Sequence, residues 1–334
     1  MKVCVFGAGA VGGHLAARMA DGGAQVSIIA RGAHLEALRR DGLRVDLPDR
    51  SLHCTPKASD RADLLGPQDV VVVAVKTTAL LAVAAGITPL LGPGTTVLFV
   101  ANGVPWWYFH QYDGAEDGRQ LPLIDPHGAL WRAVGPERAI GGLAYTASSV
   151  SAPGVIAVLS EQPHVVIGEP STRGLASETL SGRARRIAAV FEAGGLPCRV
   201  STDIRMDVWT KLIGNLAGSP ASLLTHLPLS AICDDPAGET LLRTAVNEGI
   251  ALAHAMGCMV PTDTDYYLAP TRGLRHKASM SQDLDAGRPL EIDSILTQPL
   301  QFARERGVST PTLNLLATLA CLRGSASGLY RLRS

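Results

Sequence analysis

The sequence predicts an α/β domain with a mostly parallel sheet over residues 1–202 and an all-helical domain over 203–334. Three observations predict it. Lys2 to Arg31 joins an apolar, β-branched run, Val3–Phe6, to a turn carrying Gly7, Gly9 and Gly12, then to an Ala-rich helical stretch and a second strand, Gln25–Ala30. Two later apolar runs, Asp69–Val75 and Thr95–Val100, flank a helical segment, and strands alternating with helices in this order imply right-handed crossovers and parallel pairing. Beyond Thr202 the strand signals stop and helical spacings follow one another.

The first turn reads as that of a Rossmann-type dinucleotide-binding domain. Glycine is needed three times there: to turn off the strand, to let the backbone approach a pyrophosphate, and to pack helix against sheet. The loop Gly7-Ala8-Gly9-Ala10-Val11-Gly12 therefore cradles the phosphates, with the free N–H groups of the following helix directed at them. Where the second strand ends, an NAD-binding chain carries an acid for the ribose hydroxyls, and this chain carries Arg31. An arginine there favours a 2′-phosphate, hence NADPH over NADH; the alternative is a solvated loop cation.

Gly32–Arg40 reads as a helix, and Leu43–Thr55 as a strand pair broken at Pro48-Asp49. Lys76 follows the buried run Asp69–Val75 at the sheet edge where such folds bind ligands, so it contacts the adenosine phosphate or is a solvated strand-end lysine. Thr77–Leu91 reads as a helix, Gly92-Pro93-Gly94 as a turn, and Thr95–Val100 as a buried strand. Asn102 falls at the same ligand edge, as an amide for a nicotinamide or substrate or as an Asn-Gly turn residue. The aromatic run Trp106-Trp107-Tyr108-Phe109 reads as a plug over the sheet end, with a pocket wall as the alternative. Ala139–Gly168 is strand-like and expected to extend the sheet with antiparallel strands. Leu175–Ala193 has helical spacing, and Cys198–Ser201 is one more strand.

Composition excludes several classes of partner. Thirty basic side chains balance thirty acidic ones, whereas nucleic acid or an anionic membrane usually selects a basic excess. No uninterrupted apolar run reaches the roughly 18 residues of a membrane span, and no leader precedes the first strand, so a cytoplasmic location is expected. The six cysteines are scattered without paired spacing, as reduced thiols are. His254 and Cys258, four apart on a helix, are two ligands and do not make a metal site, so no metal is expected.

In the helical half, Lys211 and Asn215 are four apart and share one helix face. A lysine on a cleft-lining face would protonate a forming alkoxide, and burial would bring its pKa toward the working range; the alternative is a surface pair. Gly214, Gly218 and Ser219 suggest that something packs closely on this helix. Ser279, or Asp283 one turn on, is a candidate ligand contact, while Glu291 and Asp293 are candidate helix caps. The last residues, Ser325 to Ser334, are expected to fray.

At these positions the chain resembles the ketopantoate reductase family. The resemblance covers nearly the whole length: the Gly7, Gly9, Gly12 loop, Arg31, Val75-Lys76, Asn102-Gly103, the Lys211–Asn215 helix, the SMSQD and LEID segments, and the ARERGVSTPTLN tail. It implies NADPH-dependent reduction of 2-dehydropantoate to pantoate, a step of pantothenate biosynthesis. Lys211 would then be general acid, and Glu291 would orient the substrate and polarise the site. Asn102 and Asn215 would bond the substrate, Ser279 its carboxylate, and Arg31 and Lys76 the 2′-phosphate. Where the family carries a second asparagine, one turn after the first, this chain has Ser219, whose shorter hydroxyl would need a bridging water or a different substrate. The alternatives are therefore reduction of another small 2-oxo acid or carbonyl compound, or a non-catalytic NADPH-binding sensor. The all-helical domain supplies a dimer interface in such folds, and a homodimer is a candidate assembly on that analogy.

Overall fold

The structure, a computed structural model, describes residues 1–170 and 181–332. It packs as two compact units, Met1–Ala101 with Trp106–Ile204, and Asn102–Pro105 with Arg205 onward. The strands are β1 (Lys2–Phe6), β2 (Gln25–Ile29), β3 (Leu43–Asp46), β4 (Ser51–Cys54), β5 (Lys57–Ser59), β6 (Gln68–Val73), β7 (Leu91–Val100), β8 (Ala139–Tyr145), β9 (Ser148–Ala152), β10 (Val155–Val158), β11 (His164–Gly168) and β12 (Cys198–Val200). The helices of the first unit are α1 (Ala10–Asp21), α2 (Gly32–Asp41), α3 (Leu80–Gly86), α4 (Ala129–Ala133) and α5 (Gly182–Ala193).

Eight strands form the main sheet in the order β12-β11-β8-β7-β6-β1-β2-β5. β8, β7, β6, β1, β2 and β5 pair in parallel, with Val3–Phe6 in register with Val70–Val73, because continuous β-branched runs suit strands covered on both faces. Among the described residues β11 and β12 continue the sheet beyond β8, β11 lying antiparallel to it.

The expectation that all strands of 139–168 extend this sheet is corrected. β9 and β10 leave it and join β3 and β4 in a second sheet, ordered β4-β3-β10-β9. β9 is polar and mostly exposed, which suits a sheet with one covered face. Its neighbour β10 lies against α1 at Gly13, where a Cβ would stand 2.7 Å from Ile156 Cγ1, an approach that only glycine permits.

The segment read as a single helix over 77–91 divides into a 3₁₀ turn Thr77–Ala79, α3, and a second 3₁₀ turn Thr88–Leu90 containing Pro89. Proline lacks the N–H that an α-helix would need there. Gly92-Pro93-Gly94 starts β7 rather than forming a turn. Thr95 Oγ1 holds that start by donating to Gln68 O at 2.6 Å and accepting from Gly92 N at 2.7 Å. The part of the 175–193 helix before Ser181 lies outside the described residues. α5 begins at Gly182, with Ser181 Oγ accepting from Ala184 N.

The second unit is helical: α6 (Ile204–Thr225), α7 (Leu229–Asp234), α8 (Pro236–Ala255), α9 (Thr264–Arg272), α10 (Ser279–Asp285), α11 (Gln298–Arg306) and α12 (Pro311–Ala326). α6 runs through Gly218 and Pro220, since burial of Leu216, Ala217, Ala221 and Leu223 outweighs local propensity. Gly249 of α8 brings the two central helices together, for a Cβ there would touch Ile213 of α6 at 3.4 Å. A π-helical turn at Asp293–Thr297 runs directly into α11. Nor is the segment after α12 wholly free: Leu290 N donates to Leu329 O at 3.1 Å, and Tyr330 Oη to Asp293 Oδ1 at 2.9 Å. The expectation of fraying did not foresee these partners, which lie some forty positions back along the chain. Among the described residues no helix is long and apolar enough to cross a membrane.

Candidate active site

The three glycines of the first turn differ in what surrounds them. Gly7 has φ +97°, and a Cβ there would fall 2.4 Å from Val75 Cγ1. At Gly12 a Cβ would fall 1.9 Å from the Gly7 carbonyl oxygen, so the helix can pack on the loop only without one. A Cβ on Gly9 would meet nothing within 4 Å and would project into open space beside the N-terminus of α1. Turn, packing and open approach are the three demands of a pyrophosphate cradle, and this loop fits a dinucleotide.

A cavity of about 390 Å³ opens beside the loop, lined by Gly7, Ala8, Gly9, Ile29, Ala30, Arg31, His34 and Val150 among others. Arg31 is exposed at its rim, where β2 ends. Ala10, Val11 and Gly12 belong to the first turn of α1 rather than to the cavity lining, and Lys76 is half-buried three residues beyond β6, also off the lining. Sequence reasoning missed His34 and Val150. His34 stands one helical turn after Arg31, a spacing that could have flagged it. Its Nδ1 accepts from Gly154 N at 3.0 Å, and burial lowers its pKa, offset in part by the Ala8 carbonyl.

In the second unit, Lys211 and Asn215 lie on α6, both partly buried, and between them Gly214 has nothing within 4 Å of where a Cβ would stand. Burial lowers the Lys211 ammonium to about 8, and the Glu291 carboxylate opposes part of that fall. Glu291 is itself 8% exposed. A mostly buried carboxylate acting on a mostly buried ammonium makes Glu291 an electrostatic partner of Lys211, which capping alone would not require.

Asn102 enters the same unit through its neighbours. Val104 N donates to Ser294 O at 2.8 Å, and a Cβ on Gly103, whose φ is +83°, would collide with that carbonyl at 2.4 Å. Ser294 lies inside the π-helical turn, which begins two residues after Glu291; such turns recur at functional sites. The loop carrying Asn102 and the segment carrying Glu291 are therefore locked together. Ser279 is exposed at the start of α10, beside Ala278, whose N–H donates to Ser222 Oγ of α6 at 3.1 Å. Ser222 was not singled out from the sequence, although it lies one turn beyond Ser219 on α6. Asp283 pairs with Arg288, Oδ1 to Nε at 3.0 Å, and so has a structural partner.

Both halves of the chain match family models, ketopantoate reductase PanE/ApbA over residues 3–171 and its C-terminal counterpart over 203–323. A 2-dehydropantoate 2-reductase of Mesorhizobium japonicum is 41% identical over 332 residues, covering 99% of this chain and 100% of that protein. The chain belongs to the ketopantoate reductase family. It is an oxidoreductase of that type. Among solved structures, one described as a ketopantoate reductase from Ralstonia solanacearum matches with TM-score 0.89 and 38% identity, covering 98% of this chain and 99% of that one. A 2-dehydropantoate 2-reductase from Geobacter metallireducens matches with TM-score 0.82 and 28% identity, covering 96% and 99%.

Within this ketopantoate reductase fold the aromatic run and Ser219 have distinct settings. Trp106, Trp107, Tyr108 and Phe109 are all buried in the first unit, with Trp106 set edge-on to Phe99 at 5.2 Å and to Trp131 at 6.0 Å between centroids. They form a plug. Ser219 is 2% exposed on α6, more enclosed than Asn215 one turn before it.

Proposed function

We propose that this ketopantoate reductase family member reduces 2-dehydropantoate to pantoate with NADPH, and that Lys211 is the general acid. The carrying observation is the Lys211 ammonium, lowered by burial to about 8 and acted on by Glu291. An acid whose pKa lies close to neutral pH is mostly protonated there and still yields its proton readily. When bound, the reduced nicotinamide supplies the hydride for the carbonyl carbon. Lys211 Nζ transfers a proton to the carbonyl oxygen, leaving a hydroxyl group on the product and a neutral amine on the lysine. Glu291 favours the charged lysine before transfer and takes part in orienting the substrate. Asn102 and Asn215 hydrogen-bond the substrate, and the exposed Ser279 hydroxyl takes its carboxylate. The loop Gly7 to Gly12 holds the pyrophosphate, and Arg31, with Lys76, holds the 2′-phosphate.

The test is steady-state oxidation of NADPH with 2-dehydropantoate, run beside a panel of branched 2-oxo acids and with NADH as control. The reading expects the highest kcat/KM with 2-dehydropantoate and a strong preference for NADPH. Lys211→Ala should leave NADPH affinity within about twofold while kcat falls by about 10²–10⁴, the usual contribution of a positioned acid. An active Lys211→Ala enzyme removes Lys211 from the mechanism. Ser219 favours a second reading, reduction of a different 2-oxo acid, because a site that bonds a hydroxyl discriminates strongly by that bond. A higher kcat/KM with another acid of the panel would select it.

A further inference from the structure

We propose that the segment after α12, Leu329-Tyr330, is a positioning element that holds the Glu291 carboxylate against Lys211. The inference deepens the reading of Lys211 as general acid and rests on it for its catalytic meaning. Glu291 is bracketed by two ties to this segment. On its N-terminal side Leu290 N donates to Leu329 O at 3.1 Å, and on its C-terminal side Asp293 Oδ1 accepts from Tyr330 Oη at 2.9 Å. Of the two residues between the ties, Glu291 and Ile292, Glu291 is the one whose side chain acts on Lys211.

The segment has its own anchor. Leu329 N and Tyr330 N both donate to Gly324 O, at 2.9 and 3.2 Å, folding the chain back onto α12. Gly324 is required there: a Cβ would stand 2.9 Å from Tyr330 Cβ and 3.1 Å from Ile292 Cδ1 and Leu290 Cδ1. One missing methyl group thus lets Tyr330 and the residues on either side of Glu291 pack at a single point. On the far side, Ser294 O accepts from Val104 N at 2.8 Å, so the same support reaches the loop that carries Asn102.

Tyr330 is suited to this task. Burial and the Asp293 carboxylate push its hydroxyl well above the ordinary phenol range, so it stays a donor at every working pH. The other groups facing it are Thr297 and Cys321, and burial also raises the Cys321 thiol, which leaves Asp293 as the charge at this contact.

The experiment follows the reaction of Lys211 with trinitrobenzenesulfonate against pH, quantified on the Lys211 peptide by mass spectrometry, in parallel with kcat for 2-dehydropantoate and with NADPH affinity. Labelling needs no turnover. Tyr330→Phe, which loses only the hydroxyl, should lower the pH of half-labelling by about half a unit, since a displaced Glu291 favours the ammonium less. Its kcat should change with NADPH affinity held. Asp293→Asn and Asp293→Ala both lose the charge but only Asn keeps an acceptor, so labelling of the Asn variant should stay closer to the wild-type protein than that of the Ala variant. This pair decides the matter if Tyr330→Phe fails to fold. A half-labelling pH in Tyr330→Phe equal to or above that of the wild-type protein overturns the proposal, whatever the assay gives. A lowered value in a protein that reduces none of the 2-oxo acids keeps the positioning role and overturns the function instead.

Discussion

Gly7 and Gly9 are two residues apart and meet opposite physical demands. Gly7 holds φ +97° with Val75 behind it, so Gly7→Ala should destabilise the protein by about 1–3 kcal/mol in urea titration, through backbone strain and collision. Gly9 has φ −66° and open space, so Gly9→Ala should cost stability less than about 1 kcal/mol while weakening NADPH binding at least about tenfold by calorimetry, because the added methyl group occupies the pyrophosphate approach. Loss of stability without loss of affinity at Gly9 would contradict the cradle. Charge at Glu291 calls for a separate test. The carboxylate raises the Lys211 pKa against the effect of burial, and under the proposed role of Lys211 as an acid that must be protonated to work, activity should fall as pH rises through about 8. Glu291→Gln removes the upward influence, and the alkaline limb of kcat/KM should move to lower pH by about one unit. A limb that stays in place would separate Glu291 from Lys211.

At the scale of elements, α5 is tied to the sheet by one guanidinium. Arg183 donates to Glu137 O at 2.8 Å and Ala139 O at 3.2 Å, and clasps both oxygens of Glu169, which is 7% exposed. Arg183→Met leaves the buried Glu169 carboxylate without its guanidinium and should cost about 3–5 kcal/mol in urea unfolding. Adding Glu169→Leu to that variant should restore part of the loss, since an apolar pair of similar volume does not carry an unpaired charge. The element scale is also where sequence and structure diverge most. β1, β2, β6 and β7 were legible because continuous apolar β-branched runs have one favourable setting, a strand covered on both sides. β9 and β10 were legible as strands but not as members of a second sheet, since the choice of partner depends on β3, a hundred residues earlier, and on a missing Cβ at Gly13. The π-helical turn was invisible in Glu291-Ile292-Asp293-Ser294, whose spacing fits an α-helix. It became apparent only with the Val104 N–H at the Ser294 carbonyl.

For the whole molecule, the buried lysine implies a cost that stability measurements can read. Burial lowers the Lys211 ammonium to about 8 in the folded protein, against its ordinary 10.5 in the unfolded chain. Between these values the unfolded chain binds the proton more tightly, so stability rises with pH across that window, and the full penalty applies below about pH 8. Lys211→Met should therefore be more stable than the wild-type protein at pH 7 by about 1–3 kcal/mol, with the difference shrinking toward pH 10.5. Urea titrations at pH 7 and pH 10 check the sign, and an unchanged gap would mean that Lys211 is solvated in the folded protein.

Sequence by itself determined the fold class, the glycine turn, the arginine after the second strand and the Lys-x-x-x-Asn helix, because each rests on periodicity or on chemistry within about thirty consecutive residues. It also carried the family, through segments that match along almost the full length. Tertiary structure alone decided that Glu291 acts on Lys211, that Ser294 holds the Asn102 loop, and that Tyr330 returns to Asp293. Those pairs are separated by between 37 and roughly 190 positions, and no local pattern encodes which distant side chain will share a desolvated space. Burial also sets the chemistry of this side chain: at the surface the same lysine would keep its ordinary pKa, and only the packing of α6 and its neighbours lowers it.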